Sequence, residues 1–411
     1  MNSRGLVDHR AVVAAGLHPL PPLDVLIADA AGATLVGDIV AQQALPATDV
    51  ATYDGYAVQS ADTANAALDA PVALTVSHDV SFDARALRRH IRGTAARISS
   101  GAPIPNGADA VVALALTDAG VARVAIGASV EIGGGVRPQG IEAKAGDLCV
   151  PAGTRLDSRR IAVAAALGRS RLTVSPVPRV VVISVGSELD EPGAGRRGAT
   201  ISESNAHMLS VMVNEAGARS YRVGVVSDDR RDLRATIEDQ LVRADVVLTT
   251  GGLSAARNDT VAAVLADMGD VSVVEVALTP GTRHGFGFVS AGDGDRDIPV
   301  IALPGNPAAA AVAFEAYVRP ALRIMSGRAQ VERKTIHARS IGSWPSPAGL
   351  VQAVPVTIDT TGSGQHFATP VGAPAGVSLA DVAASDALAW IEPDATQVTR
   401  GDSLRCTLWD E

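Results

Sequence analysis

The chain has 411 residues, too many for one ordinary hydrophobic core, so we expect about two to four domains. Hydrophobic residues make up 47% of the chain and aromatic residues only 3%, so the cores must consist of Ala, Val and Leu, while a net charge of −9 argues against nucleic-acid and anionic-membrane partners. Two distant cysteines, Cys149 and Cys406, argue against a zinc site or a disulfide framework, and no apolar run approaches the ~18 residues of a membrane span, so we expect a cytoplasmic protein without membrane insertion.

The N-terminal region is predicted to be discontinuous along the chain. A helix is expected at His9–Ala15 and a second helix over LDVLIADAAG, residues 23–32. The next segment, GDIVAQQALP, predicts a strand that stops at Pro46. After an inserted module, residues 137–175 return to a strand, a turn and a helix. We therefore assign residues 1–46 and 137–175 to one linker domain.

The inserted module covers residues 47–136 and differs from the linker domain in its pattern of apolar and polar residues. Its short alternating runs, such as PVALTVSHDV, AVVALAL and VARVAI, are separated by Gly, Asp and Pro. Alternation with a period of two residues is typical of half-buried strands. The segment therefore predicts a β-rich, barrel-like domain.

Strands and helices alternate from residue 176 to residue 327. The predicted strands include VVVISVG, DVVLTT and IPVIALPG, and the predicted helices include SESNAHMLSVMVNEAG, DDRRDLRATIEDQLV and NPAAAAVAFEAYVRPALRIM. Alternating βα units predict a mostly parallel sheet, so the fold class is α/β multidomain. Residues 328–411 revert to strands and are assigned to a C-terminal β domain.

The stretch Asp245–Asp259, DVVLTTGGLSAARND, is the centre of the predicted α/β domain. Its buried strand ends at Gly251-Gly252, and two other strands, RVVVISVGSEL and IPVIALPGNP, also end in small-residue loops. In an open α/β sheet, ligands bind beyond the carboxyl ends of the strands. We therefore expect one crevice that the three strand ends share.

Polar residues follow the first of these strands, RVVVISVGSEL, at two places. Gly186, Ser187 and Glu188 form a short loop that can donate backbone N–H groups to an anion, although Glu188 can equally cap the next segment. Ser202, Ser204 and Asn205 begin the next helix. Capping explains one of the three, and the surplus is consistent with phosphate bound at a helix N-terminus.

Several carboxylates are expected near the same edge. Asp228 or Asp229 is predicted to cap one helix, and Asp259 has the same position in the next βα unit. Each residue alone is most simply a cap, but carboxylates at successive strand ends can also hold Mg²⁺. Asp54, which precedes a glycine, is explained by turn chemistry on spacing alone.

The turn Pro304-Gly305-Asn306-Pro307 has a sufficient structural explanation. Gly305 permits positive φ, Asn306 can cap, and Pro307 fits the first helical position. Motifs of other enzyme classes are missing from the sequence. It contains no GxGxxG immediately after a predicted strand, no GxxxxGK[ST] and no GxSxG, so dinucleotide, P-loop and α/β-hydrolase functions are disfavoured.

Taken in series, these blocks resemble the molybdopterin molybdenumtransferase family, which includes MoeA-like proteins and the gephyrin E domain. The resemblance rests on LPATDVATYDGYAV, ARISSGAPIPNGADAVV, GVRPQGIEAKAGD, RVVVISVGSEL, ISESNAHML, TTGGLS with the following ND, LTPG, ALPGNPAAAAVAFEAYVRPAL and TTGSGQ. It covers nearly the whole chain, and GAPIPNGADAVV, TTGGLS and ALPGNP together are specific.

The resemblance implies a function and a set of site residues. It implies a cytosolic homodimer that transfers molybdenum from molybdate to adenylylated molybdopterin, with Mg²⁺ and release of AMP. The DGYA-like and RGED-like segments would come from the other protomer. The residues implied to be catalytic are Asp54, Glu142, Glu188, Asp228 and Asp259, and those implied to bind the metal are Glu188, Asp228 and Asp259. The residues implied to bind the pterin substrate are Gly186, Ser187, Ser202, Ser204, Asn205, Gly251, Gly252, Ser254, Pro304, Gly305 and Asn306.

The chain departs from the family at positions that carry charge. The lysines of the family's KPGKP turn are replaced by Thr279 and Thr282, Arg283 restores one positive charge, and a C-terminal arginine is replaced near Gln352. Ser187 stands in place of an aspartate. Because charge-assisted hydrogen bonds are strong, these losses predict weaker anion binding. They motivate an alternative function, a gephyrin-like scaffold that keeps the fold and dimer and binds a peptide at its C-terminal domain.

Overall fold

The computed structural model describes residues 3–80, 82, 88–194, 198–253, 259–291 and 296–410. The chain divides into two compact units. The larger unit comprises Met1–Gly37, Ala152–Asp157 and Leu172–Glu411, and the smaller unit comprises Asp38–Pro151 and Ser158–Arg171. The four-domain division given above is finer and stays a prediction. No helix among the described residues is long and apolar enough to span a membrane.

The secondary structure follows in chain order. The helices are α1 (Leu6–Gly16), α2 (Ser158–Ala166), α3 (Asn205–Ala216), α4 (Arg230–Leu241), α5 (Thr260–Met268), α6 (Pro307–Ala313), α7 (Arg319–Met325) and α8 (Leu379–Ala383). The strands up to residue 175 are β1 (Leu23–Leu26), β2 (Thr34–Leu35), β3 (Ile39–Val40), β4 (Val50–Ala51), β5 (Gly55–Val58), β6 (Val72–Asp79), β7 (Thr94–Ile98), β8 (Ala110–Ala113), β9 (Arg123–Ile126), β10 (Val136–Arg137), β11 (Leu148–Val150) and β12 (Arg171–Ser175). The later strands are β13 (Arg179–Ser184), β14 (Leu189–Asp190), β15 (Ile201–Ser202), β16 (Arg219–Arg222), β17 (Val246–Thr250), β18 (Gly269–Glu275), β19 (Leu278–Thr279), β20 (Arg283–Ala291), β21 (Arg296–Leu303), β22 (Thr335–Ser340), β23 (Trp344–Pro345), β24 (Val351–Thr360), β25 (His366–Pro370), β26 (Ala387–Ile391), β27 (Gln397–Val398) and β28 (Ser403–Leu408).

The smaller unit is built around a five-stranded sheet in the order β8-β5-β7-β6-β9. Its pairings are antiparallel except for β6 with β7. Alternate residues of these strands, among them Tyr56, Val58 and Val112, pack into one apolar cluster. The expectation of a β-rich inserted module is met by this sheet.

The larger unit contains the expected mostly parallel sheet, in the order β16-β13-β17-β21-β20-β18. The pairings that involve β13 and β17 are parallel, and β20 pairs antiparallel with both its neighbours. Side chains of β13 alternate between two cores. Val180 and Val182 pack with α1, α3 and the helices after residue 307, whereas Val181 and Ile183 pack with α4 and α5. The sheet is therefore covered on both faces, which explains its unbroken runs of Val and Ile.

A closed ring of strands lies in the C-terminal part of the larger unit. Strands β24, β25, β22, β28 and β26 pair in that order, and β26 pairs again with β24. The short strand β19 joins the ring by parallel pairing with β24. This ring is a closed five-stranded barrel. It confirms the expected β-rich character of residues 328–411.

Two expected elements differ from the structure. The helix expected at residues 23–32 is wrong, because β1 pairs with β12 there and only Ile27–Asp29 turns helically. Seven of these residues are apolar, and their spacing indicates a helix. The strand forms instead because its pairing with β12, which is distant in sequence, stabilises it. The strand expected over GDIVAQQALP is reduced to Ile39–Val40. The helix expected over NPAAAAVAFEAYVRPALRIM is present as α6 and α7, and Phe314–Val318 forms a π-helix between them.

A cluster of buried rings joins α1 to the sheet. His9, His284 and Tyr317 are each at most 1% exposed, and their ring centroids lie 4.8–5.9 Å apart. Burial lowers the pKa of His9 to about 3, with help from His284 and Arg4, and burial lowers the pKa of His284 to about 4. Both imidazoles are therefore neutral at pH 7, and neither nitrogen of His9 has a hydrogen-bond partner.

The two histidines predict a pH-dependent stability. The unfolded chain binds their protons near pH 6.5, whereas the folded chain binds them only near pH 4 and pH 3. Stability therefore falls as the pH drops below 6.5, by about 1.4 kcal/mol per pH unit for each histidine. We expect His9→Leu to remove about half of this histidine-dependent slope in urea unfolding, and to be neutral or stabilising at pH 7 because the unpartnered nitrogens disappear.

The matched control is His18→Leu, at an exposed position. It measures how much the loss of a histidine outside the buried cluster changes the slope of unfolding free energy against pH, and His9→Leu should reduce that slope further. Equal slopes for His9→Leu and the wild type would contradict the prediction.

Candidate functional site

The three small-residue loops predicted to share a crevice do meet. β13 and β21 are the two parallel neighbours of β17, with Ser184 opposite Thr250 and Thr250 opposite Leu303. All three strands therefore end at the same level of the sheet. The backbone N–H of Val185 continues the contact by donating to Thr250 O at 2.9 Å.

Close backbone approach explains the glycines at these strand ends. Gly251 has φ +85°, and a Cβ there would lie 2.2 Å from the carbonyl oxygen of Val185. A Cβ on Gly305 would lie 3.2 Å from the Cα of Gly251. The expectation of positive φ at Gly305 is wrong, since Gly305 is not among the glycines with positive φ. Gly305 therefore leaves room for the close approach of Gly251 and does not serve a left-handed backbone.

Asn205, in the first turn of α3, joins that helix to the ends of β17 and β21. Its Nδ2 donates to Thr250 Oγ1 at 2.9 Å and to the carbonyl oxygen of Gly305 at 2.8 Å. Thr250 Oγ1 in turn donates to Pro304 O at 2.9 Å. Both amide protons of Asn205 are thus used within the protein. The side chain therefore holds the first turn of α3 against the ends of β17 and β21.

The start of α3 also depends on Glu203, which sequence reasoning missed. Glu203 is 2% exposed, and its Oε1 accepts from the Ser184 hydroxyl at 2.8 Å and from the backbone N–H of Ala206 at 2.7 Å. This carboxylate performs the capping that was expected of the neighbouring polar residues, because Ser204 makes no side-chain capping bond. The signal was available, since acidic residues are favoured at helix N-termini.

The loop after β13 is fixed by reciprocal hydrogen bonds. Ser187 N donates to Asp228 Oδ2 at 3.0 Å, and Asp228 N donates to Ser187 Oγ at 3.1 Å. Glu188 is exposed, and a Cβ on Gly186 would lie 2.8 Å from its carboxylate oxygens. Glu188 and Asp228 therefore both lie beside the loop that follows β13. Ser202 is exposed at the end of β15.

Asp259 begins α5 beyond the end of β17. Its Oδ1 accepts from the backbone N–H of Ala262 at 3.2 Å, and its Oδ2 forms an ion pair with Arg283. Asp229 caps α4 in the same way, and Asn306 caps α6 by accepting from Ala309 N at 3.0 Å. The predicted capping roles of Asp259, Asp229 and Asn306 agree with these contacts. Gly252 lies against the side chain of Val261 in α5, and Ser254 lies outside the described residues.

A cavity lies at the end of the sheet opposite to the crevice. It has a volume of about 650 Å³ and is lined by Leu241, Val289 and Arg296, among others. These residues adjoin the amino ends of β17 and β21. In sheets of this kind ligands bind at the carboxyl ends, so the glycine-lined edge remains the candidate site.

Comparison with known proteins gives the family. The profile of the MoeA N-terminal region (domain I and II) matches residues 6–168, and that of a probable molybdopterin binding domain matches residues 181–324. Molybdopterin molybdenumtransferase 2 of Mycobacterium tuberculosis is 35% identical over 99% of both chains, and molybdopterin molybdenumtransferase 1 is 33% identical over 97% of both. The chain belongs to the molybdopterin molybdenumtransferase family.

Solved MoeA structures agree with this assignment. Two structures of molybdopterin biosynthesis MoeA proteins from Pyrococcus horikoshii match with TM-scores of 0.78 and 0.73. The first is 28% identical and covers all of both chains, and the second is 24% identical and covers 99% of this chain and all of the other. The matched molybdopterin-binding profile contains all three strand ends of the crevice.

The structure does not arrange the predicted metal ligands around one point. Among residues 3–80, 82, 88–194, 198–253, 259–291 and 296–410, no three His, Cys, Asp or Glu side chains are grouped so as to hold a metal ion. Asp259 and Asp228 accept from protein donors instead. Mg²⁺ prefers six oxygen ligands, several of them from water or phosphate, so these side chains alone do not fit the ion. The assignment of Glu188, Asp228 and Asp259 to a metal stays a prediction.

Two of the residues that the family resemblance implies to be catalytic, Asp54 and Glu142, belong to the smaller unit. Asp54 is exposed, and its Oδ1 accepts from the backbone N–H of Ser100 at 2.8 Å. Glu142 is exposed and forms an ion pair with Arg137. Both contacts are local, so they hold each carboxylate at the surface of that unit.

The role of Asn205 yields a prediction. Asn205→Asp keeps the side-chain volume but replaces Nδ2, which has two N–H donors, by an oxygen that can only accept. That oxygen would face Thr250 Oγ1 and Gly305 O. We expect a loss of about 2–4 kcal/mol in unfolding free energy, because buried acceptors are left without donors. Chemical denaturation measures the loss.

Asn214→Asp is the matched control in the same helix. Asn214 uses only its Oδ1, which accepts from the backbone N–H and the hydroxyl of Ser220, and an aspartate keeps both bonds. A change at Asn205→Asp no larger than the change at Asn214→Asp would refute the bracing role.

Proposed function

We propose that this chain inserts molybdenum from molybdate into adenylylated molybdopterin, and that the crevice at the ends of β13, β17 and β21 binds the pterin substrate. The observation that carries the proposal is the convergence of these three glycine-rich strand ends within the part of the chain that matches a molybdopterin-binding domain. The relatives that match over nearly the whole chain bear the name of this transferase.

The geometry of the crevice is consistent with a phosphorylated pterin. Without side chains at Gly186, Gly251, Gly252 and Gly305, a ligand can approach the loop backbone closely. The N-termini of α3, α4 and α5 already carry capping carboxylates. We therefore assign phosphate recognition mainly to the loop backbone and not to the helix ends.

Further parts of the proposal come from the family. They are the dependence on Mg²⁺, the release of AMP, a homodimer and a cytoplasmic location. Asp54 and Glu142 would then act at the crevice of the other protomer. Glu188, Asp228 and Asp259 would supply only some of the oxygen ligands of Mg²⁺, with the others from water or phosphate, and the bound ion would polarise phosphate and molybdate oxygens.

A specific observation favours a second function, a scaffold with weakened turnover. Thr279 pairs with Gln352 between β19 and β24, and both stand where the family resemblance places cations. Gln352 is 2% exposed, accepts from Trp344 Nε1 at 3.3 Å and donates to Pro374 O at 2.9 Å. Arg283, the nearby cation, is paired with Asp259. With Thr279 and Gln352 in place of cationic side chains, this region would bind an anion more weakly.

One experiment separates the two functions. Purified protein is incubated with adenylylated molybdopterin, molybdate and Mg²⁺, and the product is tested for activation of a molybdenum-free apo-enzyme. The transferase produces active cofactor and AMP, and chelation of Mg²⁺ stops both. Tight pterin binding without turnover would favour the scaffold, and absence of both would refute the proposed function.

The proposal predicts the effect of Asp259→Asn. Asparagine still caps α5 but loses the negative charge, so the fold should persist. We expect molybdenum transfer to fall by about 100-fold or more, in the range found when one charged or polar group of an active site is removed.

Asp229→Asn is the matched control, since Asp229 caps α4 by the same kind of contact. It should keep most of the activity. Similar activities for the two variants would remove Asp259 from the mechanism.

A further inference from the structure

The turn Thr279–Arg283, which leads into β20, is anchored by a chain of buried hydrogen bonds. Nε2 of His284 lies 3.2 Å from the carbonyl oxygen of Gly281, and Nδ1 of His284 lies 2.8 Å from the hydroxyl oxygen of Tyr317. His284 is fully buried and Tyr317 is 1% exposed. His9 packs edge-on against the Tyr317 ring at 4.8 Å between centroids.

The direction of each hydrogen bond follows from its partners. A carbonyl oxygen can only accept, so Nε2 of His284 must carry the proton and donate to Gly281. Burial lowers the pKa of His284 to about 4, so the ring is neutral and has one N–H at pH 7. Nδ1 is then an acceptor, and the Tyr317 hydroxyl donates to it. The chain therefore runs from Tyr317 through His284 to the turn in a single tautomer.

The same strand end is held on its other face by Arg283. Successive residues of a strand point to opposite faces, so His284 faces the α1 side and Arg283 faces the α5 side. Arg283 forms an ion pair with Asp259 at the start of α5. The turn thus has one anchor on each face of the sheet.

The turn also lies against the third strand end of the crevice. A Cβ on Gly281 would come within 3.0 Å of Pro304 Cγ and within 2.7 Å of Ala309 Cβ, and Gly281 has φ +83°. Val276 N donates to Thr282 O at 2.6 Å and closes the turn. A shift at His284 would therefore move Gly281 relative to Pro304 and move Arg283 relative to Asp259.

We propose that Tyr317 and His284 are positioning residues of the molybdopterin site, because their hydrogen-bond chain holds the Thr279–Arg283 turn and, through Arg283, the carboxylate of Asp259. The inference rests on the proposed function for its activity test. Both residues are buried, so each would act through the turn and not by contact with the substrate. Tyr317 is supplied by the π-helical segment Phe314–Val318, and π-helical turns are frequent at functional sites.

Four variants test the proposal. Tyr317→Phe removes only the donor to Nδ1, and His284→Phe removes both bonds while keeping an aromatic ring. His284→Gln is the conservative rescue, because its amide can donate from about the place of Nε2. Tyr221→Phe is the matched control, since Tyr221 lies on β16 and packs in the opposite core.

The first measurement does not need catalysis. Amide hydrogen exchange is followed by mass spectrometry in peptides that cover residues 277–283. We expect exchange to be about tenfold faster or more in Tyr317→Phe and His284→Phe, and close to the wild type in His284→Gln and Tyr221→Phe. Equal exchange in Tyr317→Phe and Tyr221→Phe would overturn the anchoring role, whether or not the protein is a transferase.

The second measurement separates positioning from stability. With adenylylated molybdopterin and molybdate, we expect kcat to fall about 10- to 100-fold in His284→Phe and less in Tyr317→Phe, while KM for the pterin stays within about twofold. His284→Gln should recover most of kcat. A lower melting temperature with unchanged kcat would show a purely structural role and refute the proposal. An inactive wild type would refute the proposed function, and the exchange measurement would still decide the anchoring.

Discussion

The candidate site depends on three parallel strand ends that pack backbone to backbone. Loops that approach so closely need both small residues and a fixed spacing. Gly251 and Gly305 supply the space, and Asn205 sets the spacing by donating one proton to each neighbouring element. Glu203 then fixes the helix that carries Asn205 through Ser184 of β13. The crevice thus depends on buried polar contacts beneath it, made by Asn205 and Glu203.

Electrostatics distinguishes this crevice from a simple anion site. Carboxylates lie at the starts of α3, α4 and α5, and the nearby Arg283 is compensated by Asp259. The helix ends are therefore already occupied by carboxylates, which leaves the loop backbone as the main source of donors for an anion. This arrangement is compatible with both functions discussed above, the transferase and the scaffold.

Much of the fold was predictable because strand burial and glycine loops leave local signals. The predicted strand DVVLTT agrees with β17 (Val246–Thr250) to within one residue, since a β-branched run between Asp245 and Gly251 favours a buried strand. The capping residues Asp229, Asp259 and Asn306 were predictable from their places after strand ends. The helix expected at residues 23–32 failed because apolar periodicity in a short segment does not reveal a distant partner strand.

The parts of the site that could not be predicted involve partners far apart in sequence. Glu203 was overlooked because its neighbours, Ser202 and Ser204, matched the capping rule better, and only the fold shows that it meets Ser184. The pairing of His284 with Tyr317 joins an unremarkable strand residue to a helix residue 33 positions later. Pairwise burial of this kind is set by tertiary packing, and one sequence carries no record of it.

The burial of α1 has a consequence for synthesis on the ribosome. This helix, Leu6–Gly16, packs with its Val13 in the same core as Phe286 and Tyr317, nearly 300 residues later in the chain. Nascent chains emerge from the N-terminus at about 5–20 residues per second, so the apolar side of α1 waits many seconds for its partners. Helix α1 is therefore made long before these core partners, and during that interval it is a natural target for a chaperone that binds exposed apolar segments.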